Sequence, residues 1–459
     1  MMNKLLDRTY IVLLACLWLG AMMFTSCSEK DYVNAIPASS TALLKLDAQK
    51  LNPDAMQHTL AQMLGANDVK DCGLDFAEPL YAFETIDGNL GLCAKVDDVD
   101  DVEKFLNEMA QKGRCSHTTK VGDVWFSDVA GAWCAGFNKT SFVVLGPVTT
   151  AALPDARRKV ARMLRQDAEA SIMESALFER IDTMEAAVAL VTKAVALPEK
   201  LAAPVMIGAP EGAESARLML AASISEKDKH IVVEGTTFST DKALDKALEE
   251  SKKVYRKIGD KYLQRLLEGD AFAMIMNVDG NEFLPLLHRS KALQALLVGL
   301  NTAIDFDAIM RSVKGGMIVK SGGFNSDALS LSMLAEMPDN APWQKDVDYW
   351  RESVQKGCSI NEMGDKAWMY VSGKTRLGFG IRRGEFFAST SENDWHVTSQ
   401  NGERKCEFTK KMVDELSDAR LVIYVGTSGI ASLSQSAGGL GGIVSTVLGD
   451  AKGIVYVMR

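Results

Sequence analysis

Short apolar runs and amphipathic helical segments alternate along this chain, and the same succession occurs twice. The first series opens with a β-rich run at residues 41–47 and the second with a similar run at residues 271–279. Each continues with a strand, an amphipathic helix that ends in Gln-Lys-Gly, and several strands joined by glycine-containing turns, which are typical of hairpins. Because regularly alternating βαβ units do not occur in this pattern, antiparallel sheets with helices packed on one face are predicted.

Identical short motifs keep the two series in register. The matching pairs are Gln111-Lys112-Gly113 with Gln355-Lys356-Gly357, Cys115-Ser116 with Cys358-Ser359, Gly122-Asp123 with Gly364-Asp365, and Gly136-Phe137 with Gly378-Phe379. A nearly constant internal offset of this kind indicates a duplicated structural unit. The sequence therefore predicts an α+β fold of two tandem repeated units, the first at residues 41–262 and the second at residues 263–459.

The two series differ at their C-terminal ends. The first continues through a strand at residues 230–238 and a long helix at residues 241–258, whereas the second stops after a strand at residues 453–457. We expect a second unit that is shortened at its C-terminus, which would leave this last strand paired on one side only. An open sheet edge is usually covered in proteins, and the alternative is that the second unit closes its sheet by other means.

The longest apolar stretch, residues 9–24, lies near the start of the chain. It follows a basic start and leads into Thr25-Ser26-Cys27, the pattern of a lipoprotein signal peptide that is cleaved before a cysteine. A single membrane-spanning helix is the alternative, but the stretch is shorter than the roughly 20 residues that a bilayer core requires. We predict a signal peptide at residues 1–26, lipidation of Cys27, and a tether at residues 27–40.

This leader indicates that the mature protein works outside the cytoplasm and contacts a membrane through the lipid on Cys27. The following residues, Ser28-Glu29-Lys30-Asp31, resemble the acidic export tag of some Bacteroidetes lipoproteins. We therefore expect a lipid-anchored protein of the outer membrane, exposed at the cell surface if the tag is active, with a periplasmic orientation as the open alternative. Because ATP and NADH are not freely supplied there, no cofactor is predicted.

The charge of the chain excludes one class of partner. Its 51 basic and 60 acidic residues give a formal net charge of −9, which becomes more negative once the basic leader is removed. Nucleic-acid binding depends on basic surfaces that replace counterions along the phosphate backbone. We therefore expect no nucleic-acid partner, and a protein or glycan at the cell surface is the predicted kind of ligand.

The sequence contains no recognisable metal-binding motif. Six cysteines follow Cys27 and none forms a C-x-x-C pair, while the five histidines are scattered; neighbouring ligands of this kind build most zinc sites. An acidic run at residues 97–101 lacks the glycine and terminal glutamate of a calcium-binding loop, and we interpret it as the charged start of a helix. No metal site is predicted, and the disulfide pairing of the six cysteines stays open.

Two short motifs point to catalysis and are discounted. The glycine-rich run at residues 438–442 is not followed by Lys-Ser or Lys-Thr and does not fit a dinucleotide fingerprint. Ser239 and Lys242 have the spacing of serine-lysine hydrolases, but the partner motifs of those enzymes do not occur, and residues 239–241 suit a helix cap better. No catalytic residue is predicted.

Tryptophans raise the question of sugar binding, because exposed aromatic rings stack on sugar faces. Trp343 and Trp350 lie seven residues apart on one predicted helix, which favours a place in the core. Trp125 and Trp368 occupy equivalent predicted strands, which also favours packing. This leaves Trp133 and Trp395 as the candidates for exposed rings that contact a ligand.

The segment Tyr32-Val33-Asn34-Ala35-Ile36-Pro37-Ala38, together with the preceding leader and the strand at residues 41–47, resembles the start of an uncharacterised Bacteroidetes lipoprotein family known only as a domain of unknown function. The resemblance extends over most of the mature chain. It implies the same cellular location and fold, and it supplies no catalytic or ligand-binding residues.

These observations lead to three hypotheses of function. The first is a membrane-anchored surface lipoprotein that acts as a non-catalytic binding or scaffolding module, because the chain is duplicated without a converging set of polar residues. The second is a glycan-acting hydrolase, which requires two facing carboxylates about 5 to 10 Å apart. The third is a subunit of a multi-protein surface complex, for which a large exposed apolar patch is the expected sign.

Overall fold

The computed structural model of the protein describes residues 30–51, 61, 69, 71–197, 214–289, 304–322, 331–373, 375–391, 405–427 and 451–459. These residues form a mixed α and β structure dominated by sheet. The predicted signal peptide, Cys27, Trp395 and the glycine-rich run at residues 438–442 lie outside the described residues.

The described strands are numbered in chain order. They are β1 Ala42–Leu46, β2 Leu80–Glu84, β3 Leu90–Lys95, β4 Thr119–Val121, β5 Val124–Val129, β6 Trp133–Phe137, β7 Ser141–Gly146, β8 Val188–Lys193, β9 Met219–Lys227, β10 His230–Phe238, β11 Tyr255–Arg256, β12 Phe272–Val278, β13 Gly316–Ser321, β14 Leu331–Glu336, β15 Cys358–Gly364, β16 Ala367–Ser372, β17 Thr375–Arg382, β18 Glu385–Ser389, β19 Leu421–Gly426 and β20 Gly453–Met458.

The described residues also contain eight α-helices, numbered α1 Val99–Gln111, α2 Leu153–Met163, α3 Ala176–Asp182, α4 Lys242–Lys252, α5 Gly280–Arg289, α6 Phe306–Arg311, α7 Val347–Ser353 and α8 Lys410–Leu416. Asp98 caps α1 by accepting hydrogen bonds from the backbone of Asp100 and Asp101, so the acidic run is the start of a helix as predicted. The predicted helix at residues 241–258 ends earlier than expected, at Lys252. Within the described part of the chain, no helix has both the length and the apolar character needed to cross a membrane.

The chain divides into two compact units. The described residues of unit 1 lie within Met1–Ala38, Asp71–Asp75 and Leu92–Met173, and its strands are hydrogen-bonded in the order β3, β7, β6, β5, β4. Helix α2 packs closely on β6 because Gly136 has no side chain: a Cβ there would lie 2.5 Å from Cγ1 of Val160. The glycine of this motif is therefore needed for helix-on-sheet packing.

The N-terminal residues of unit 1 are folded into it. Residues Asp31–Ala35 form a 3-10 turn, and Tyr32 and Ile36 are 1% and 0% exposed. The carbonyl of Tyr32 accepts hydrogen bonds from Sγ of Cys93 at 3.3 Å and Oγ of Ser141 at 3.2 Å. The predicted tether at residues 27–40 is therefore too long, since the apolar residues within it are buried.

Unit 2 contains the remaining described residues, within Ser39–Lys70, Phe76–Gly91 and Glu174–Arg459. Its strands follow one another in the order β2, β1, β8, β9, β10, β20, β19, β12, β13, β14, β18, β17, β16, β15. Neighbours are antiparallel throughout, with the exception of β10 and β20, which are parallel. The short strand β11 adds to one end of β12.

The last strand of the chain corrects a prediction. Strand β20 pairs with β19 on one side and with β10 on the other, where His230 lies opposite Gly453 and Glu234 opposite Val457. The expected one-sided edge is therefore wrong. A strand from the first half of the chain supplies the missing neighbour, and a parallel pairing over such a sequence separation leaves no local turn signal from which it could be predicted. We refer to the pairing of β10 with β20 as the seam.

The largest core of unit 2 is aromatic. Trp343 is 1% exposed and its ring lies 5.9 Å from that of Trp350 and 5.8 Å from that of Trp368. Phe379 and Phe386 also pack against Trp343. The predicted packing role of these tryptophans is confirmed, although the single helix predicted to carry Trp343 and Trp350 is a 3-10 turn followed by α7.

Candidate functional site

Of the predicted site residues, Trp133 is the one that the structure describes. It begins β6 and is half-buried. Its ring lies beside the backbone of β7, where a Cβ on Gly146 would be 2.7 Å from the ring atoms. One part of the ring is thus covered by the neighbouring strand, and ligand contact by Trp133 stays a prediction, as it does for Trp395 and for lipidation at Cys27.

A buried group of polar side chains lies at the seam. Nε2 of His230, the first residue of β10, is 3.0 Å from Oε1 of Glu407, and the two side chains are 2% and 6% exposed. The rings of Phe408 and Tyr424 pack edge-on against the imidazole, with centroid distances of 5.6 and 6.1 Å. The imidazole and the carboxylate are therefore surrounded by aromatic carbon rather than by water.

Two further charged residues form a buried pair, and one of them, Asp270, lies close enough to Tyr424 to raise its pKa by its charge, after burial and the charge of Glu407. The carboxylate of Asp270 is 3.2 Å from Nζ of Lys320, and both side chains are largely buried. Asp270 also accepts a hydrogen bond from the backbone of Leu267 at 3.0 Å. We call His230, Asp270, Lys320, Glu407 and Tyr424 the seam cluster.

Local chain geometry brings the seam cluster together. Glu407 lies on a segment that pairs with the chain before β12 through a bridge between Leu267 and Cys406, and its own N–H donates to the carbonyl of Leu266 at 2.9 Å. The partner of Tyr424 on β20 is Val455, and the tyrosine ring extends over Gly453, where a Cβ would lie 2.7 Å from the ring. Glycine is thus required for the close approach.

Hydrogen bonding indicates the tautomer of His230 in the seam cluster. Nδ1 of His230 is buried and has no hydrogen-bond partner, which fits a tautomer whose Nε2–H donates to Glu407. Burial and, second, the charge of Glu407 raise the pKa of Tyr424, which hydrogen-bonds the same carboxylate. The carboxylate of Glu407, bonded by His230 and Tyr424 and surrounded by apolar groups, therefore stabilises the contact between strands and is not placed to contact a substrate.

Sequence reasoning passed over this cluster because His230 and Glu407 are 177 residues apart. A local signal does exist for the histidine. It is the first of three consecutive buried residues in a strand rich in valine and isoleucine, and a histidine inside such a run needs a polar partner when it is buried. The identity of that partner depends on the pairing of β10 with β20.

A second polar cluster in unit 2 contains two carboxylates. Glu336 ends β14 and Glu385 begins β18, and the two residues are direct cross-strand neighbours. Nζ of Lys261 lies between them, 3.0 Å from Glu336 and 3.2 Å from Glu385. The hydroxyl of Tyr262 donates to Glu385 at 3.0 Å. We call these four residues the bridged carboxylates.

The bridged carboxylates have the residue types that glycoside hydrolysis uses, but they are already occupied. Burial opposes the ammonium of Lys261, yet the two carboxylates outweigh this effect and raise its pKa. Glu336 also accepts a hydrogen bond from the backbone of Gly316 at 3.2 Å. A retaining or inverting mechanism needs both carboxylates to face the scissile bond of the substrate, whereas here the ammonium of Lys261 lies between them.

Among the residues that the structure describes, the cysteines and the metal-ligand residues add no further site. The cysteines at positions 93, 115, 134, 358 and 406 are free thiols. Hydrogen bonding with Ser372 and Tyr370 lowers the pKa of the Cys358 thiol, whereas burial raises the pKa of Cys93. In the described ranges, no group of three or more His, Cys, Asp or Glu side chains is arranged to hold a metal ion.

Comparison with known proteins gives one family and two distant structures. A family model described as "Domain of unknown function (DUF4836)" matches residues 45–406. Crystal form IV of TP0453 covers 46% of this chain and 83% of its own, at 10% identity and a TM-score of 0.29. Crystal form III of TP0453 covers 78% of this chain and 92% of its own, at 6% identity and a TM-score of 0.23. No curated protein matches the chain.

Proposed function

The chain belongs to the DUF4836 family, a domain of unknown function, and from this premise we propose that it is an outer-membrane lipoprotein, anchored through Cys27, whose two tandem α+β units form a non-catalytic binding or scaffolding surface. The partner is a protein or a glycan at the cell surface. The leader sequence supports the anchor, and the arrangement of strands supports the duplicated units.

The single observation that carries this proposal is that the two halves repeat one set of strand pairings. Strand β1 pairs with β2 and β8, just as β12 pairs with β13 and β19. Strand β3 pairs with β7 as β14 pairs with β18, and the succession β4 to β7 corresponds to β15 to β18. Strand β8 pairs with β9 as β19 pairs with β20. Helices α1 and α7 fall at the same place in both series, before β4 and β15. Duplicated units commonly present repeated surfaces to a partner.

Strand β10 joins the strands of the two proposed repeats in one sheet. It is the antiparallel neighbour of β9, which comes from the first half of the sequence, and the parallel neighbour of β20, which comes from the second half. Strands from both halves of the sequence are thus joined in the sheet of unit 2. Such a sheet is suited to holding a partner in a fixed geometry, and the seam cluster stabilises it at the point where the two halves meet.

The polar chemistry of unit 2 favours binding over catalysis. In the seam cluster the histidine and carboxylate are bonded to each other and enclosed, and among the bridged carboxylates the ammonium of Lys261 holds both acids. A catalytic acid or nucleophile needs a free position for the substrate. Both clusters use their charged groups to hold strands together.

The anchor is tested by metabolic labelling with palmitate in cells that produce the wild type or Cys27→Ser. We expect label in the wild type only, and recovery of the wild type with the outer membrane. Protease treatment of intact cells then distinguishes surface exposure, in which the protein is cleaved, from a periplasmic orientation. Equal labelling of both proteins, or no labelling of either, would overturn the anchor.

The binding function is tested by chemical crosslinking in intact cells, followed by identification of what is joined to the protein. We expect one reproducible protein or glycan adduct with the wild type and its loss with Cys27→Ser. Purified protein is assayed in parallel against envelope and dietary glycans for release of reducing ends. Turnover that disappears in Glu385→Gln would replace the binding function with hydrolysis.

Hydrolysis is retained as a second candidate because of one observation, the direct cross-strand position of Glu336 and Glu385. If these carboxylates act on a glycan, Lys261 has to move away to release them. A variant without the ammonium, Lys261→Met, is therefore expected to increase hydrolysis if that mechanism operates. Under the binding function, the same variant shows no turnover.

A further inference from the structure

The N-terminal turn enters unit 1 at one end of its sheet. The carbonyl of Tyr32 is held by Ser141, the first residue of β7, and by Cys93. The carbonyl of Asn34 accepts a hydrogen bond from the side chain of Gln166, which lies just beyond the C-terminal end of α2. The chain that connects to Cys27 therefore leaves unit 1 beside the start of β7 and the end of α2.

Two turns lie at this same end. Nδ2 of Asn138, in the turn between β6 and β7, donates to the carbonyl of Leu164 at 2.9 Å. The guanidinium of Arg165 donates to Asp123 at 3.0 Å and to the carbonyl of Val121 at 3.3 Å, in the turn between β4 and β5. We call the N-terminal turn, these two turns and the residues after α2 the tether end of unit 1.

The tether end exposes an apolar residue near basic ones. Val121, the last residue of β4, is 61% exposed. Lys120 precedes it, with Nζ 3.8 Å from the centre of the Trp125 ring, and Lys139 and Arg165 are exposed on the two neighbouring segments. Apolar groups that enter the interface, together with lysine and arginine heads at the level of lipid phosphates, are the usual composition of a membrane-contacting surface.

The connection to the anchor is short. Lys30 is three residues beyond Cys27, and a fully extended chain spans at most about 3.6 Å per residue. The folded part begins at once, since the backbone of Val33 donates to the carbonyl of Lys30 at 2.9 Å. A lipid on Cys27 thus holds the tether end within about 11 Å of the anchored residue.

From the short connection and the exposed residues, we propose that the tether end of unit 1 rests on the bilayer that holds the Cys27 lipid, with Val121 in the lipid interface and Lys120 and Lys139 beside the phosphate groups. This inference rests on the proposed lipidation of Cys27 and adds an orientation to it. The opposite end of unit 1, where β7 ends and Thr149 is exposed, lies about 20 Å away along a six-residue strand.

Photo-crosslinking to lipid tests the orientation. Benzoylphenylalanine is introduced at Val121 or, as the matched control, at the exposed Thr149, in full-length protein that has been shown to carry palmitate. The lipidated proteins are placed in vesicles of phosphatidylethanolamine and phosphatidylglycerol and irradiated. We expect at least fivefold more lipid adduct from position 121 than from position 149. Equal adduct from the two positions, or more from position 149, would overturn the orientation while leaving the anchor intact.

A variant with a longer tether tests whether the short connection to Cys27 holds Val121 at the membrane. Insertion of ten Gly-Ser residues between Glu29 and Lys30 keeps the lipid and every folded contact but removes the short connection. We expect adduct at position 121 to fall toward the level at position 149, while the protein still sediments with the vesicles. Unchanged adduct would contradict a surface held in place by the short connection. Failure of palmitate labelling, by contrast, would overturn the proposed function before this comparison is made.

Discussion

The two polar clusters of unit 2 have similar side chains and different surroundings. In the seam cluster, the side chains of His230 and Glu407 are 2% and 6% exposed. Among the bridged carboxylates, Lys261 and Glu336 are 46% and 43% exposed. Removing one partner from a buried pair leaves an uncompensated polar group, whereas water replaces the missing partner of an exposed pair. Burial, rather than the number of ion pairs, therefore decides which cluster the fold depends on.

The largest effect is expected from Glu407→Ala. The variant leaves Nε2–H of His230 buried without an acceptor and removes the hydrogen-bond partner of Tyr424. A loss of about 3 to 5 kcal/mol in the free energy of unfolding is expected, measured by chemical denaturation. Glu336→Gln in the exposed cluster is the matched control, for which a loss below about 1 kcal/mol is expected. Equal losses in the two variants would remove the distinction between the clusters.

A smaller effect is expected from Gly453→Ala. The added Cβ would lie 2.7 Å from the Tyr424 ring and 2.9 Å from the carbonyl of Val425, so β20 or the ring has to shift. Overpacking of this kind costs about 1 to 3 kcal/mol. The measurement is the denaturation midpoint of Gly453→Ala and of the wild type under the same conditions. A Gly453 variant as stable as the wild type would show that the seam is loosely packed.

The dependence of stability on alkaline pH allows the two clusters to be compared, because each contains a buried tyrosine. Burial, and then the nearby charge of Glu407 or Glu385, raises the pKa of Tyr424 and Tyr262. The unfolded chain releases these protons first, near pH 10, so stability is full below that pH and falls as pH rises above it. We expect Tyr424→Phe and Tyr262→Phe each to make the fall shallower, by at most about 1.4 kcal/mol per pH unit. Unchanged slopes would contradict the raised pKa values.

The smallest effect is expected from Lys261→Met. The variant removes the ammonium between Glu336 and Glu385, but both carboxylates keep access to water. A change of about 0 to 1 kcal/mol in the free energy of unfolding is expected. It should shrink further at 1 M salt, where exposed charges are screened within about 3 Å. A loss above 3 kcal/mol that is independent of salt would place the bridged carboxylates with the buried cluster.

Much of the local structure follows from the sequence. The hairpin strands around Gly136 and Gly378 were predictable because apolar runs, turn glycines and repeated motifs all agree there. Trp343 and Trp350 were correctly assigned to packing, since their spacing places them on one face. The exact helix starts were less predictable: Asp98 caps α1, although several neighbouring aspartates have a similar capping preference.

The seam, the pairing of β10 with β20, could not be predicted from the sequence for a physical reason. The pairing of β10 with β20 joins residues more than two hundred positions apart, and no turn or repeat specifies that partner. The contact of His230 with Glu407 depends on the same pairing. The predicted tether at residues 27–40 includes Tyr32 and Ile36, and the sequence pattern alone did not indicate that these side chains are buried.

The proposed duplication is tested most directly by an experimentally determined structure of the mature protein in which strands β3 to β7 are overlaid on strands β14 to β18. We predict that the two sets superimpose strand by strand in the same order, and that β20 is paired with both β19 and β10. Different strand orders in the two sets, or a β20 without β10 beside it, would contradict the account.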